Sequence, residues 1–94
     1  MLEVAILNVK EGKESEFEAA FCRAQKIMSN IEGYVSRQLK KCVENQFILL
    51  VNWQTIENHT VDFRGSSQYQ EWKGLLHHFY DPFPAVKHYT GVFP

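Results

Sequence analysis

Two segments of the chain are apolar at almost every position. One covers residues 2–9 (LEVAILNV), where Glu3 and Asn8 are the polar positions, and the other covers residues 46–53 (QFILLVNW). An apolar run on both alternating sides suits a strand that is covered on both faces. We therefore expect these segments to be the two central strands of a sheet.

Two other segments mix polar with apolar residues, as strands at the edge of a sheet do. They cover residues 34–41 (YVSRQLKK) and 86–92 (VKHYTGV). Residues 42–45 form a short connection from the first of these segments to the apolar run at 46–53. This arrangement predicts an antiparallel hairpin.

A helical repeat of apolar residues lies between the first two predicted strands. It extends from about residue 13 to residue 30, and acidic residues crowd its first turns, where the helix dipole favours them. Gly12 lies near the expected N-cap, and Gly33 is the expected left-handed C-cap. The stripe that should face the core contains Phe17, Ala20, Phe21, Ala24, Ile27, Met28 and Ile31.

The second helical region is interrupted. It starts after Thr55, breaks near residues 64–65, and restarts at Ser66 or Ser67, where Ser67 and Gln70 match a capping box. Two prolines after its last turn prevent the helix from continuing. Its apolar stripe contains Tyr69, Trp72, Leu75, Leu76 and Phe79.

The order of elements is therefore β-α-β-β-α-β. In the ferredoxin-like arrangement of these elements, four antiparallel strands lie in the order 4-1-3-2, which places the two most apolar strands at the centre. We therefore expect an α+β, ferredoxin-like fold in which residues 1–94 form a single domain.

The two predicted helices can cover only one face of such a sheet. Because the central strands are apolar toward both faces, the second face needs another cover. A second copy of the chain, packed sheet to sheet as in a dimeric α+β barrel, supplies that cover. We expect a homodimer that buries more than about 1,000 Å² in total.

Composition and charge narrow the choice of partners. The chain has 94 residues, of which 45% are apolar, and a formal net charge of -1. Because no basic patch and no long apolar run occur, the sequence argues against nucleic acid and against a membrane as partners. Cys22 and Cys42 have no CxxC spacing, and we interpret them as small apolar filling residues of a cytoplasmic protein.

Several short segments, in order along nearly the whole chain, resemble one known protein family. No segment is diagnostic alone, since most are structural positions, but their order and spacing together are fairly specific. They are residues 9–13 (VKEGK) with Glu16 and Phe17, residues 32–34 (EGY), residues 52–55 (NWQT) with His59, residues 67–72 (SQYQEW), and residues 84–89 (PAVKHY).

These segments resemble the antibiotic biosynthesis monooxygenase family, part of the dimeric α+β barrel superfamily. The resemblance implies the fold and the homodimer expected above. Members include oxygenases that use no metal or flavin on quinol-like aromatic substrates, haem-degrading enzymes, and isomerases of small signal molecules. The resemblance therefore leaves the reaction open.

The haem-degrading members use an Asn on the first strand, and a Trp and an iron-binding His on the second helical region. The corresponding positions fall near residues 5, 62–63 and 74, and none of them matches. A gap of a few residues would bring His77 or His78 into register with the iron ligand. The sequence favours a protein without haem, and no dinucleotide or P-loop motif is present, so we expect no cofactor.

The resemblance places a histidine after the strand that ends in Trp53, and His59 is our candidate for the catalytic base, because an imidazole titrates near neutral pH. The alternative is a purely structural histidine. Asn52 and Trp53 point to opposite faces of their strand, so at most one lines the substrate pocket. Asn8 can bond a substrate oxygen, unless water or backbone satisfies it. His88 should be exposed or at the dimer seam.

The other candidates for substrate binding follow the second helical region. Tyr69 and Trp72 share a helix face and can stack on an aromatic substrate, or simply pack in the core. Arg64 can bind an anionic substrate oxygen or a surface carboxylate. His77 and His78 diverge by about 100° on a helix, so we expect no metal site and retain His78 as a substrate-binding candidate.

The sequence therefore predicts a cofactor-independent monooxygenase that acts on a small quinol-like or polyphenolic substrate. The substrate would bind in an aromatic pocket between the helices and the sheet. Two alternatives stay open: a module that binds or isomerises a small metabolite in the same pocket without oxygen chemistry, and an interaction protein whose apolar faces serve only dimerisation.

Overall fold

The computed structural model describes residues 1–43 and 45–92, with the backbone alone at Val43. It contains four strands, two α-helices and two short helical segments of other types. In chain order these are β1 (Leu2–Asn8), α1 (Glu14–Met28), β2 (Tyr34–Val43), β3 (Gln46–Trp53), a π-helical segment (Asn58–Phe63), α2 (Ser67–Leu76), a 3-10 turn (His77–Phe79) and β4 (Val86–Tyr89).

The strands form one antiparallel sheet in the order β2-β3-β1-β4. The two apolar segments, β1 and β3, are its central strands. This confirms the ferredoxin-like α+β fold and the predicted strand order. The last strand is shorter than predicted and ends at Tyr89 rather than Val92, because its pairing with β1 ends where β1 begins, at Leu2 opposite Tyr89.

The core lies between the helices and one face of the sheet. The predicted stripe of α1 packs there, with Phe17 and Ala24 fully buried, and α2 contributes Trp72 and Leu76. The N-cap of α2 is Ser66 and not the predicted Ser67, because the extended backbone of Ser66 lets its hydroxyl accept a hydrogen bond from the Tyr69 N–H at 3.2 Å.

The other face of the sheet carries no helix. Its centre is apolar, with Leu2, Val4 and Ile6 from β1 and Ile48 and Leu50 from β3, and Ile6 is 48% exposed. Along the described part of the chain, no helix is both long and apolar enough to cross a membrane.

The prediction that the two cysteines fill the core is wrong. Cys22 and Cys42 are both free thiols on the surface. Cys22 directly follows the buried Phe21 on α1, so the helical rotation turns it to solvent. Cys42 lies where the pairing of β2 with β3 shifts register, between Lys41 and Val43, at the edge of the sheet.

Candidate active site

A cavity of about 410 Å³ opens between the helix-covered face of the sheet and the second helical region. This is the place that the sequence predicted for a pocket. Apolar walls come from both layers, including Leu7 and Leu49 of the sheet and Phe63 and Trp72 of the helical region. Its polar lining groups are Glu3, His59, Arg64, Tyr69, His77 and Tyr80.

A buried carboxyl group lies in this cavity. Glu3 is 4% exposed, and its Oε1 accepts a hydrogen bond of 2.9 Å from the Trp53 indole N–H. Burial raises the pKa of Glu3 above its ordinary value, while the Trp53 bond and the positive charge of Arg64 act in the opposite direction. A carboxyl group in this position can therefore exchange a proton closer to neutral pH than an exposed one.

His59 lies beside Glu3 and is also buried. Its Nε2 is 3.4 Å from Glu3 Oε1, and its Nδ1 is 2.7 Å from Nε2 of His88. Burial, followed by the charges of Arg64 and His88, lowers the pKa of His59 to about 3. The burial of both partners disfavours their charged forms, so we describe the 3.4 Å separation as a close contact rather than as an ion pair.

Aromatic rings hold the imidazole of His59 in place. It stacks on the indole of Trp53, with 5.5 Å between ring centroids and 18° between planes, and on the ring of Phe63 at 6.2 Å. Trp53 thus supports the site from behind the cavity wall, because its ring orients His59 while its N–H binds Glu3.

The segment that carries His59 is fixed by its neighbour Asn58. The Asn58 Oδ1 accepts hydrogen bonds of 2.9 Å from the Thr55 N–H and hydroxyl, and its amide donates to Asp62 at 2.9 Å. Gly33, in the predicted left-handed conformation with φ of 82°, packs directly against the Asn58 side chain. Gly33 is not the C-cap of α1, because the helix ends at Met28 with Ser29 as its cap.

The far side of the cavity presents a second imidazole. His77 is surrounded by aromatic rings, with 5.0 Å to the Phe83 centroid and 5.9 Å to that of Tyr69. Its Nδ1 is buried and has no hydrogen-bond partner among the described residues. Burial, and then the charge of Lys73, lowers the pKa of His77, which favours the neutral ring. A buried polar atom of this kind is a docking point for a polar group of a ligand.

Four of the residues singled out from the sequence line this cavity: His59, Arg64, Tyr69 and Trp72. Trp53 contributes through Glu3 and His59, as described above. Of the adjacent pair Asn52 and Trp53, the structure thus turns Trp53 toward the site.

The structure places three predicted substrate-binding residues outside this cavity. Asn8 lies on the helix-free face, where its Oδ1 accepts a hydrogen bond of 3.0 Å from Gln46. Asn52 is exposed on the same face and donates to the Ser36 hydroxyl at 3.1 Å. His78 is exposed on the outer surface between α1 and α2, because the chain turns there into a 3-10 segment that directs His77 inward instead.

Two residues that contact His59 were missed from the sequence. Glu3 was visible as a carboxylate inside an apolar run, which is a rare position for a charged residue and a usable signal. His88 was expected to be exposed or at the dimer seam, but it is partly buried and bonded to His59. No sequence signal connects two histidines that are 29 positions apart.

Over residues 1–43 and 45–92, no three His, Cys, Asp or Glu side chains converge in a way that could hold a metal ion. Glu3 and His88 contact opposite nitrogens of His59, so the three groups form a line rather than a ligand set.

The class of protein is defined by comparison with known families. The sequence profile of the antibiotic biosynthesis monooxygenases matches residues 1–75. The chain belongs to this family. YczJ, an uncharacterized protein of Bacillus subtilis (strain 168), is 54% identical over 92 residues, which are 96% of this chain and 97% of YczJ.

Solved structures agree with this assignment. A Bordetella bronchiseptica protein assigned to the same family has a TM-score of 0.92 and 32% identity, over 98% of this chain and 96% of its own. SnoaB, a cofactor-independent oxygenase from Streptomyces nogalater, has a TM-score of 0.80 and 16% identity, over 99% of this chain and 95% of its own. The likeness to SnoaB is a likeness of fold.

Proposed function

We propose that this protein is a cofactor-independent monooxygenase that oxidises a small quinol-like or polyphenolic substrate, with His59 as the base. The observation that carries the proposal is a buried imidazole on the wall of an aromatic cavity, bonded to another histidine and next to a carboxyl group. The family membership and the fold shared with an oxygenase that needs no cofactor support it.

The reaction requires little of the protein. His59 takes a proton from a substrate hydroxyl, which makes the aromatic ring electron-rich enough to reduce O₂. One oxygen atom enters the substrate and the other leaves as water, and the substrate supplies the two electrons and two protons that this water requires. His59 is neutral at working pH, so an unprotonated ring nitrogen can accept the proton in the first step.

The remaining cavity groups suit a substrate with polar groups at two ends. Arg64 brings a positive charge to the His59 end, where it can stabilise the oxyanion that forms on deprotonation. His77 offers its free Nδ1 to a second hydroxyl or carbonyl group, and Trp72 and Tyr69 can contact the ring between them. The cavity volume of about 410 Å³ lies within the usual range of roughly 300–1,000 Å³ for small-molecule sites.

Oxygen uptake tests this proposal. Hydroquinone, catechol and 1,4-dihydroxynaphthalene serve as probes, with the uncatalysed oxidation subtracted. His59→Ala should lower kcat/KM by about 10²- to 10⁴-fold, the range for loss of a general base. His78→Ala removes an imidazole outside the cavity and should leave the rate unchanged. No uptake with any probe, or equal losses in both variants, would exclude the proposal in this form.

The same ionisable groups can also bind a small metabolite, or isomerise it by moving a proton, without oxygen. Anaerobic incubation separates the two functions, because an isomerase converts its substrate without O₂ and a monooxygenase does not. Conversion of a probe that is equal with and without oxygen would favour the isomerase.

We also propose that the protein is a homodimer packed through the helix-free face of the sheet. The support is the exposed apolar centre of that face, where Ile6 and Leu50 belong to the two central strands. A second copy would bury these side chains, and the polar groups of the edge strands would form the rim of the interface.

A reducing compartment, which we take to be the cytoplasm, suits the two cysteines. Cys22 and Cys42 are exposed free thiols on different elements. Exposed thiols of this kind persist where the surroundings keep them reduced.

A further inference from the structure

The imidazole of His59 lies next to two other ionisable side chains, and the three residues belong to three different elements. Glu3 and His88 lie directly opposite each other in the pairing of β1 with β4, both on the helix-covered face. His59 of the π-helical segment lies between them, with Nε2 3.4 Å from Glu3 Oε1 and Nδ1 2.7 Å from His88 Nε2. The base of the proposed reaction therefore has an ionisable neighbour at each of its ring nitrogens.

The 2.7 Å contact joins the protonation states of the two histidines. A hydrogen bond between two neutral imidazoles needs one N–H and one lone pair. If His59 carries its proton on Nδ1, then His88 must accept it at Nε2, and if His88 carries a proton on Nε2, then His59 must accept it at Nδ1. A change of tautomer in one ring therefore requires the matching change in the other.

The opposite nitrogen of His59 remains available to a ligand. Its 3.4 Å contact with Glu3 is longer than an ordinary N–H···O hydrogen bond, which is about 2.7–3.2 Å. Both Glu3 and His59 line the cavity. A substrate hydroxyl can therefore approach His59 Nε2 beside the Glu3 carboxyl group.

We propose that Glu3, His59 and His88 form a proton relay, in which His88 stores the proton that His59 takes from the substrate. This inference rests on the proposed function for its substrate end. The substrate O–H bond breaks and its proton binds His59 Nε2, while the proton of His59 Nδ1 passes to His88 Nε2. On the return path the proton goes back through His59 to the oxygen atom that leaves as water.

Glu3 is the positioning residue of the relay. While the proton is in transit, an imidazolium forms on His59 or His88, and an ionised Glu3 stabilises it at close range. The Trp53 N–H holds the carboxyl group in place, and the positive charge of Arg64, which lowers the pKa of both histidines, opposes a lasting positive charge on them. The proton is thereby stored for a short time and returned.

Paired substitutions at His88 test the relay. His88→Gln keeps a side chain that can hydrogen-bond His59 Nδ1 but cannot carry a proton through, whereas His88→Phe removes both abilities. A relay predicts that kcat with 1,4-dihydroxynaphthalene falls by about 10- to 100-fold in both variants, which is at or below the range of direct acid–base catalysis. The acid limb of the pH profile of kcat/KM should also change in both. Wild-type kcat in His88→Gln would overturn the relay and reduce His88 to a support for His59.

A second measurement needs no substrate. In protein with ¹⁵N-labelled histidine, the shared proton should give a scalar coupling between His59 Nδ1 and His88 Nε2, and this coupling should vanish in His88→Gln. A missing coupling in the folded wild-type protein would overturn the relay. A coupling in a protein that consumes no oxygen would support the shared proton between the two histidines and exclude the proposed function, so the two failures are distinguishable.

Discussion

The two faces of the central strands are both largely apolar, but their polar residues lie in different surroundings. On the helix-covered face, Glu3 is buried and bonded to Trp53 and lies next to His59. On the helix-free face, Asn8 and Asn52 bond to neighbouring polar side chains near water. Alternating positions of the same strands therefore line the cavity of the proposed active site on one side and the face that we propose for dimerisation on the other.

The difference between the two faces can be tested most directly by substituting two adjacent leucines of β3. Leu49 is 3% exposed on the covered face, whereas Leu50 faces the helix-free side. Leu49→Ala should lower the free energy of unfolding by about 2–5 kcal/mol at every protein concentration. Leu50→Ala should act through the dimer, so that its effect on urea unfolding grows with protein concentration.

Sedimentation equilibrium provides the control for this pair. Wild type and Leu49→Ala should have the mass of a dimer, and Leu50→Asp should have the mass of a monomer. A wild-type monomer at micromolar concentration would contradict the use of the helix-free face for assembly.

The buried imidazole makes the covered face sensitive to acid. The pKa of His59 is lowered from 6.5 to about 3, so between these values the unfolded chain binds a proton that the folded chain does not. The free energy of unfolding should therefore fall by roughly 3 kcal/mol between pH 6.5 and pH 4 from this group. His59→Phe should remove that part of the slope in urea titrations.

Glu3 acts in the opposite direction, since its raised pKa makes the folded state lose stability as pH rises above the ordinary carboxyl value. The difference between wild type and His59→Phe isolates the histidine from this effect. The exposed His78→Ala serves as control and should keep the wild-type slope. Parallel curves for wild type and His59→Phe would show that the imidazole is not held neutral.

The smallest effect is expected at the polar group of the helix-free face. Asn8→Ala removes the hydrogen bond to Gln46 and should cost about 0.5–1.5 kcal/mol of stability. Because Asn8 lies away from the cavity, oxygen uptake should stay at the wild-type rate. A loss of activity greater than about tenfold would indicate that Asn8 does bind the substrate, as the sequence predicted.

The fold could be predicted because it depends on local patterns. The apolar runs of β1 and β3, the stripe of α1 and the break before α2 each lie within one short segment of sequence. The cavity residues Arg64, Tyr69 and Trp72 followed from these patterns, because the periodicity of a helix sets which side chains share a face.

The rest of the site depends on contacts between distant segments. Glu3 and Asn8 are polar residues on opposite faces of the same apolar strand, and the sequence did not show which face the helices cover. His77 rather than His78 reaches the cavity because the last turn changes from α to 3-10 geometry. The bond between His59 and His88 depends on the pairing of β4 with β1, which the composition of either segment does not reveal.

The glycine at position 33 is a position outside the cavity lining that is sensitive to substitution. Any side chain there would collide with Asn58, the residue that holds the start of the segment carrying His59. In a library of all single substitutions, this position should tolerate almost nothing, although it never touches a ligand. Active relatives that hold their histidine in the same way should therefore also have glycine at this position.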